Sequence, residues 1–97
     1  MKIYAVCQSG LGTSFMVEMN IKNALRARGV DLDDFQVDHG DVGSVSANMG
    51  DYFFFEKTLQ DTLTNLPADK MVPLNSIIDK KEIQEKVDKI LADNNIA

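Results

Sequence analysis

The chain has 97 residues, enough for one domain, and we expect a single domain over residues 1–97. A formal net charge of −5 argues against nucleic-acid binding, and no stretch is apolar enough to insert into a bilayer. One cysteine and one histidine exclude an internal disulfide and disfavour a metal site, so we expect no metal and no cofactor. Without a signal-like N-terminus, the expected location is the cytoplasm.

The first predicted elements are a strand and a helix separated by a glycine-containing loop. Residues 3–6 form a short apolar run that predicts a buried first strand. Thr13 or Ser14 can cap the helix after the loop, and Gly29 is a natural stop. The apolar face of this helix comprises Val17, Ile21, Ala24 and Leu25.

Two further strands are predicted in the middle of the chain. Residues 35–38 form the second strand, and the glycines in residues 40–50 indicate a loop with at most a short helix. His39, which follows the predicted strand, is interpreted as a solvated loop residue. Residues 52–55 are apolar at every position, which predicts a central strand covered on both faces.

The last part of the chain completes an α/β pattern. Residues 58–63 predict a short helix, and Met71–Leu74 predicts a fourth strand at the sheet edge, because Pro73 cannot donate a ladder hydrogen bond. Asp79 and Glu82 resemble a capping box before a final helix. Its apolar stripe comprises Ile83, Val87, Ile90 and Leu91. The alternation of strands and helices predicts an α/β domain with a parallel sheet.

The loop after the first strand carries the chemistry. It comprises Cys7, Gln8, Ser9, Gly10, Leu11, Gly12, Thr13 and Ser14. The two glycines let several backbone amides point at one anion, and the following helix N-terminus adds a partial positive charge. The same field favours the thiolate form of Cys7, since thiols at helix N-termini are often activated nucleophiles. We therefore predict a catalytic Cys7 whose phosphoryl group is held by residues 8–14.

Other interpretations of these residues stay open. A lone cysteine can be a small buried hydrophobe. The glycines could belong to a dinucleotide fingerprint with Asp38 as the ribose acid, although Phe15 occupies the position of the third glycine. Met16 and Met19 are interpreted as packing residues rather than a partner-binding surface. The acidic residues Asp31, Asp33 and Asp34 are interpreted as a solvated turn rather than a metal site.

A small cysteine phosphatase is a further alternative, because low-molecular-weight tyrosine phosphatases read Cys-x5-Arg-Ser/Thr. Thr13 occupies the position of that arginine, which clamps the transferring phosphoryl group. An Asp-Pro acid is also missing, since the two prolines follow Leu66 and Val72. A cradle without these groups should hold a thiophosphate and hydrolyse it slowly, as a carrier requires.

The loop resembles that of the enzyme IIB components of the bacterial sugar phosphotransferase system. Its pattern is similar to the Cys-x-x-Gly-x-Gly-Ser/Thr-Ser loop of the ascorbate and mannitol branches. The lactose and cellobiose branch usually has Ser in place of Gly12, and the ascorbate branch fits best. Thr13 replaces the commoner Ser, residues 53–55 are more aromatic than usual, and residues 56–58 depart from the ascorbate pattern.

The resemblance implies a Rossmann-like four-stranded parallel sheet of order 2-1-3-4 with helices on both faces. It also implies that Cys7 accepts a phosphoryl group from a phosphohistidine on a IIA component. Cys7 would then donate the group to a substrate bound by the membrane IIC component, through which the protein would associate peripherally with the membrane. The best expectation for that substrate is L-ascorbate, with a hexitol such as mannitol or galactitol as the alternative.

Overall fold

The computed structural model describes residues 1–7, 13–43, 45–77 and 79–95, and for residues 13 and 14 it describes the backbone alone. The strands are β1 (Lys2–Cys7), β2 (Gln36–Asp41), β3 (Tyr52–Glu56) and β4 (Met71–Leu74), and the α-helices are α1 (Thr13–Ala27) and α2 (Lys80–Asp93). Every strand pair is parallel and the order is β2-β1-β3-β4. The predicted α/β class, parallel sheet and strand order are confirmed, including the edge position of Pro73 in β4. The expected helices on both faces are present only in part, because both α-helices lie on one face and the other face carries short 3₁₀ helices.

The two α-helices pack on the same face of the sheet. Their apolar stripes and one face of the strands form a shared core, which includes Ile3, Ala5, Val17, Ile21, Ala24, Leu25, Val37, Phe54, Val72, Leu74, Ile83, Val87, Ile90 and Leu91. Both helical stripes predicted from the sequence are therefore confirmed. Gly29 ends α1 with a φ of 74°, and the Val30 amide donates to the Leu25 carbonyl at 3.4 Å.

The opposite face of the sheet is covered by connecting segments that contain short 3₁₀ helices, including Ala47–Met49 and Lys57–Leu59. Residues from these segments and the strands form a second core, namely Val6, Val45, Phe53, Phe55, Leu63 and Leu66. Because side chains alternate along a strand, Phe54 lies in one core while Phe53 and Phe55 lie in the other. All three rings are fully buried, so the prediction of a strand covered on both faces is confirmed. The helix predicted at 58–63 is shorter and begins at Lys57.

The second strand extends further than the sequence predicted. The pairing of Val6 with Gly40 and of Cys7 with Asp41 carries β2 to residue 41. The prediction that residue 40 begins a loop is therefore wrong. A Cβ at Gly40 would overlap the hydroxyl of Tyr4, so the absent side chain makes room for this ring inside a regular ladder.

Half of the predicted capping box at α2 is present. The Asp79 carboxylate accepts from the Lys81 and Glu82 amides at 2.9 and 3.3 Å. The Glu82 carboxylate, however, accepts from the Asn75 and Ser76 amides at 2.8 and 3.0 Å. It therefore satisfies amides of the connection after β4 instead of the amide of Asp79, which donates to the Ser76 carbonyl.

Candidate active site

Cys7 lies at the topological switch point of the sheet. It is the last residue of β1, and the chain runs from β1 outward to β2 and then across to β3 on the other side. Ligands of open α/β sheets bind at such points, beyond the carboxyl ends of the strands. Residues 8–12 and the side chains of Thr13 and Ser14 lie outside the described residues, so their predicted contacts with a phosphoryl group remain predictions.

The sheet fixes the direction of the Cys7 side chain. Ile3 and Ala5 belong to the core beneath the α-helices, and alternation along β1 directs Cys7 to that same face. Its carbonyl accepts from the Val42 amide at 3.1 Å, and its thiol is largely buried. The first turn of α1 contains no acidic residue, so no carboxylate of that turn offsets the positive end of the helix dipole.

A tyrosine occupies the opposite face of the sheet near the same edge. Tyr4 packs on Phe53 with ring centroids 6.1 Å apart and is paired with Asp38 across the ladder. Burial, followed by the carboxylates of Asp38 and Asp41, raises the pKa of the Tyr4 phenol above its usual value of 10.0. The phenol therefore stays neutral near pH 7 and can donate a hydrogen bond but cannot act as a base.

A buried carboxylate joins α1 to β2 near Cys7. Glu18 is 7% exposed, and its Oε1 lies 2.9 Å from Nδ1 of His39. Its second oxygen accepts from Lys22 Nζ at 3.3 Å. The Phe15 and His39 rings form a T-shaped pair, with centroids 5.6 Å apart and an angle of 83° between their planes. His39 is exposed to solvent, as predicted, but its assignment to a loop is wrong, because it lies in β2 and contacts α1.

Sequence reasoning missed Glu18, although the helix pattern contains a signal for it. Glu18 precedes Ile21 by three residues and Leu25 by seven, so it lies along the apolar stripe of α1. A carboxylate in such a position needs a partner when it is buried. The partner comes from β2, which only the folded sheet brings close.

Removing the histidine should loosen this contact. We expect His39→Ala to lower the free energy of unfolding by about 1–3 kcal/mol, since among the described residues the buried Glu18 carboxylate then keeps Lys22 alone as a partner. Urea unfolding of His39→Ala, Glu18→Ala and the double variant measures the coupling between the two side chains. Strictly additive losses would show that the pair contributes no interaction of its own.

The prediction for the methionines of α1 is wrong, whereas the prediction for the acidic turn before β2 is confirmed. Met16 and Met19 are 50% and 49% exposed, so the prediction that they pack in the core is wrong. They lie beside the stripe that Val17 and Ile21 occupy. The acidic residues form the predicted solvated turn, in which the Asp31 carboxylate accepts from the Asp33 amide at 2.9 Å.

A cavity and an acidic cluster of the described residues both lie away from Cys7. The cavity has a volume of about 460 Å³, and its lining includes Met1, Gly29 and Phe35, which lie near the amino ends of β1 and β2. It is therefore at the wrong edge of the sheet for a ligand of Cys7. Within residues 1–7, 13–43, 45–77 and 79–95, no group of three His, Cys, Asp or Glu side chains could hold a metal ion.

Comparison with known proteins identifies the family. A family model described as the PTS system, Lactose/Cellobiose specific IIB subunit, matches residues 2–89, which include Cys7 and all four strands. No curated protein matches the chain. None of the helices that the structure describes is long and apolar enough to cross a membrane. The chain belongs to the IIB subunits of the phosphotransferase system, the phosphoryl carriers of sugar transport that work with IIA and IIC components.

Proposed function

We propose that Cys7 is the residue that carries the phosphoryl group. Its thiolate sulfur attacks the phosphorus of a phosphohistidine on IIA, the P–N bond breaks and the imidazole leaves. In the second step a hydroxyl oxygen of the substrate on IIC attacks phosphorus and releases its proton to a base on IIC or to solvent, while the S–P bond breaks and the thiolate returns. The observation that carries this proposal is the position of Cys7, the only cysteine, at the end of β1 and the topological switch point.

The loop and helix are proposed to hold the phosphoryl oxygens. Backbone amides of residues 8–14 and the hydroxyls of Thr13 and Ser14 would donate to them, with the N-terminus of α1 supplying further positive potential. Since Thr13 stands in place of a phosphatase arginine, the cradle would stabilise the thiophosphate without accelerating its hydrolysis. We expect no turnover of an aryl phosphate by the isolated protein, and turnover would favour the phosphatase alternative.

The nucleotide-binding alternative receives little support from the fold. Asp38 lies three residues before the end of β2 and pairs with Tyr4, on the face opposite the Cys7 side chain. Its carboxylate accepts from Gln36 Nε2 at 3.0 Å. A thermal shift with NAD or ATP would revive this alternative, because a ligand that binds only the folded state raises the midpoint of unfolding.

For the substrate we propose L-ascorbate, with mannitol or galactitol as alternatives. The loop pattern with Gly12 supports this choice, while the description of the matching family model names lactose and cellobiose. We also propose that residues 1–97 form one IIB domain in the cytoplasm, held at the membrane through IIC.

The substrate can be tested with phosphorylated protein and membranes that contain candidate IIC components. Labelled ascorbate, mannitol, galactitol, lactose and cellobiose are offered in parallel, and phosphorylated products are counted. We expect a phosphorylated product from ascorbate. A product from a hexitol or a disaccharide alone would overturn the substrate and leave the carrier role intact.

A further inference from the structure

The outer face of α1 carries an exposed strip that the phosphocysteine chemistry does not use. Its members, at spacings of four, three and four, are Phe15, Met19, Lys22 and Arg26. Phe15 and Met19 are each 49% exposed, and with the adjacent Met16 they are the exposed large hydrophobic residues of the described part of the chain. Together with Glu18 and Asn23, the strip lines a groove of about 260 Å³.

The charge of this strip is opposite to that of the chain as a whole. Glu18 is the only acidic residue between Thr13 and Val30, and it is buried against His39 and Lys22. The net charge of the chain is −5, yet the ionisable members of the strip are the exposed Arg26 and the half-buried Lys22, which is paired with Glu18. A partner suited to the strip therefore presents apolar and acidic side chains.

The apolar end of the strip lies close to the reactive end of the sheet. The Phe15 ring is held by its edge contact with His39, which precedes Asp41 by two residues on the same face of β2. Asp41 is in turn the register partner of Cys7. A protein that brings a reactive group to Cys7 will therefore lie near Phe15, whereas Lys22 and Arg26 lie toward the other end of α1 and are reached only by a partner that extends along the helix.

We propose that the strip is the docking surface for the phosphoryl-donating IIA component, whose matching surface is apolar and acidic. This inference rests on the proposed phosphorylation of Cys7. The basic character of the strip selects IIA over IIC, because cytoplasmic loops of membrane proteins carry an excess of Lys and Arg. Such loops would be repelled by Lys22 and Arg26 and suit the acidic remainder of the chain.

The test compares Met19→Ala/Arg26→Glu with the control Lys89→Glu, which makes the same charge change at an exposed position of α2. Lys22 is left in place because it hydrogen-bonds Glu18. Phosphorylation of Cys7 by phosphorylated IIA is followed by rapid quenching and intact-mass spectrometry at low and high salt. Phosphoryl transfer from each variant to substrate on IIC membranes is measured separately.

We expect the double variant to lower kcat/KM for phosphorylation by IIA about 10-fold or more at low salt and less at high salt, with a clearly smaller effect on transfer to IIC. An equal loss in both steps would overturn the assignment of the strip to IIA. The control should behave as the unmodified protein. Unchanged phosphorylation of the double variant, or a loss confined to the IIC step, would overturn the docking assignment. If the unmodified protein accepts no phosphoryl group from IIA, the proposed function is wrong, and the docking assignment, which rests on it, is wrong as well.

Discussion

Replacing Cys7 with serine is expected to reduce phosphoryl relay from IIA to substrate by about 10³-fold or more. A serine hydroxyl is a much weaker nucleophile near neutral pH than cysteine, whose sulfur is intrinsically very nucleophilic. The substitution removes the only thiol of the chain while retaining a side chain of similar shape. Single-turnover transfer from phosphorylated IIA, sampled by rapid quenching, measures the loss.

The fold should survive this change, which makes the loss of relay interpretable. Cys7 is the terminal residue of β1, and its backbone contacts, including the hydrogen bond from the Val42 amide, do not depend on the sulfur. The circular dichroism spectra of Cys7→Ser and Cys7→Ala should match that of the unmodified protein, and urea unfolding of both variants should remain cooperative. Relay by the folded serine variant at the rate of the unmodified protein would eliminate Cys7 as the carrier.

The largest effect on stability is expected from Phe54→Ala, which should lower the free energy of unfolding by about 3–5 kcal/mol. Phe54 is fully buried in β3, between Ala5 of β1 and Val72 of β4, in the core beneath the two α-helices. Removing the ring leaves a cavity that the paired strands on both sides cannot easily close. Since small domains have about 5–15 kcal/mol in total, the variant should unfold at much lower urea concentration.

Phe15→Ala is the matched control for this experiment, because it removes the same ring from a position that is 49% exposed. Its stability should change by about 0.5 kcal/mol or less apart from the loss of the ring contact with His39. Similar destabilisation by the two substitutions would contradict the assignment of Phe54 to a central strand covered on both faces.

The elements of the fold could be predicted because they depend on local pattern. The apolar run at residues 52–55 indicates a strand buried on both faces, and Pro73 restricts β4 to an edge. Gly29 ends α1 with the positive φ that glycine adopts without strain. The position of Cys7 at a strand end follows from the same local reasoning.

The features that sequence reasoning missed depend on contacts between distant segments. His39 is 21 residues from Glu18, and nothing in the local sequence shows that β2 continues far enough to bring them together. Glycine at residue 40 indicates a loop when the sequence is considered alone. In the folded sheet it instead leaves room for the Tyr4 ring, which occupies the space that a side chain would need. The Glu82 carboxylate accepts hydrogen bonds from the amides of residues 75 and 76. These residues lie in the connection after β4, which the fold places beside the start of α2.

The most direct test of the account is intact-mass spectrometry at neutral pH, with peptide mapping of any adduct. The protein and its Cys7→Ala variant are mixed with phosphoenolpyruvate, the general phosphotransferase proteins and candidate IIA components. We expect a gain of one phosphoryl group, dependent on IIA, located on Cys7 and absent from the variant. A phosphoryl group on another residue, or one that the Cys7→Ala variant also acquires, would contradict it.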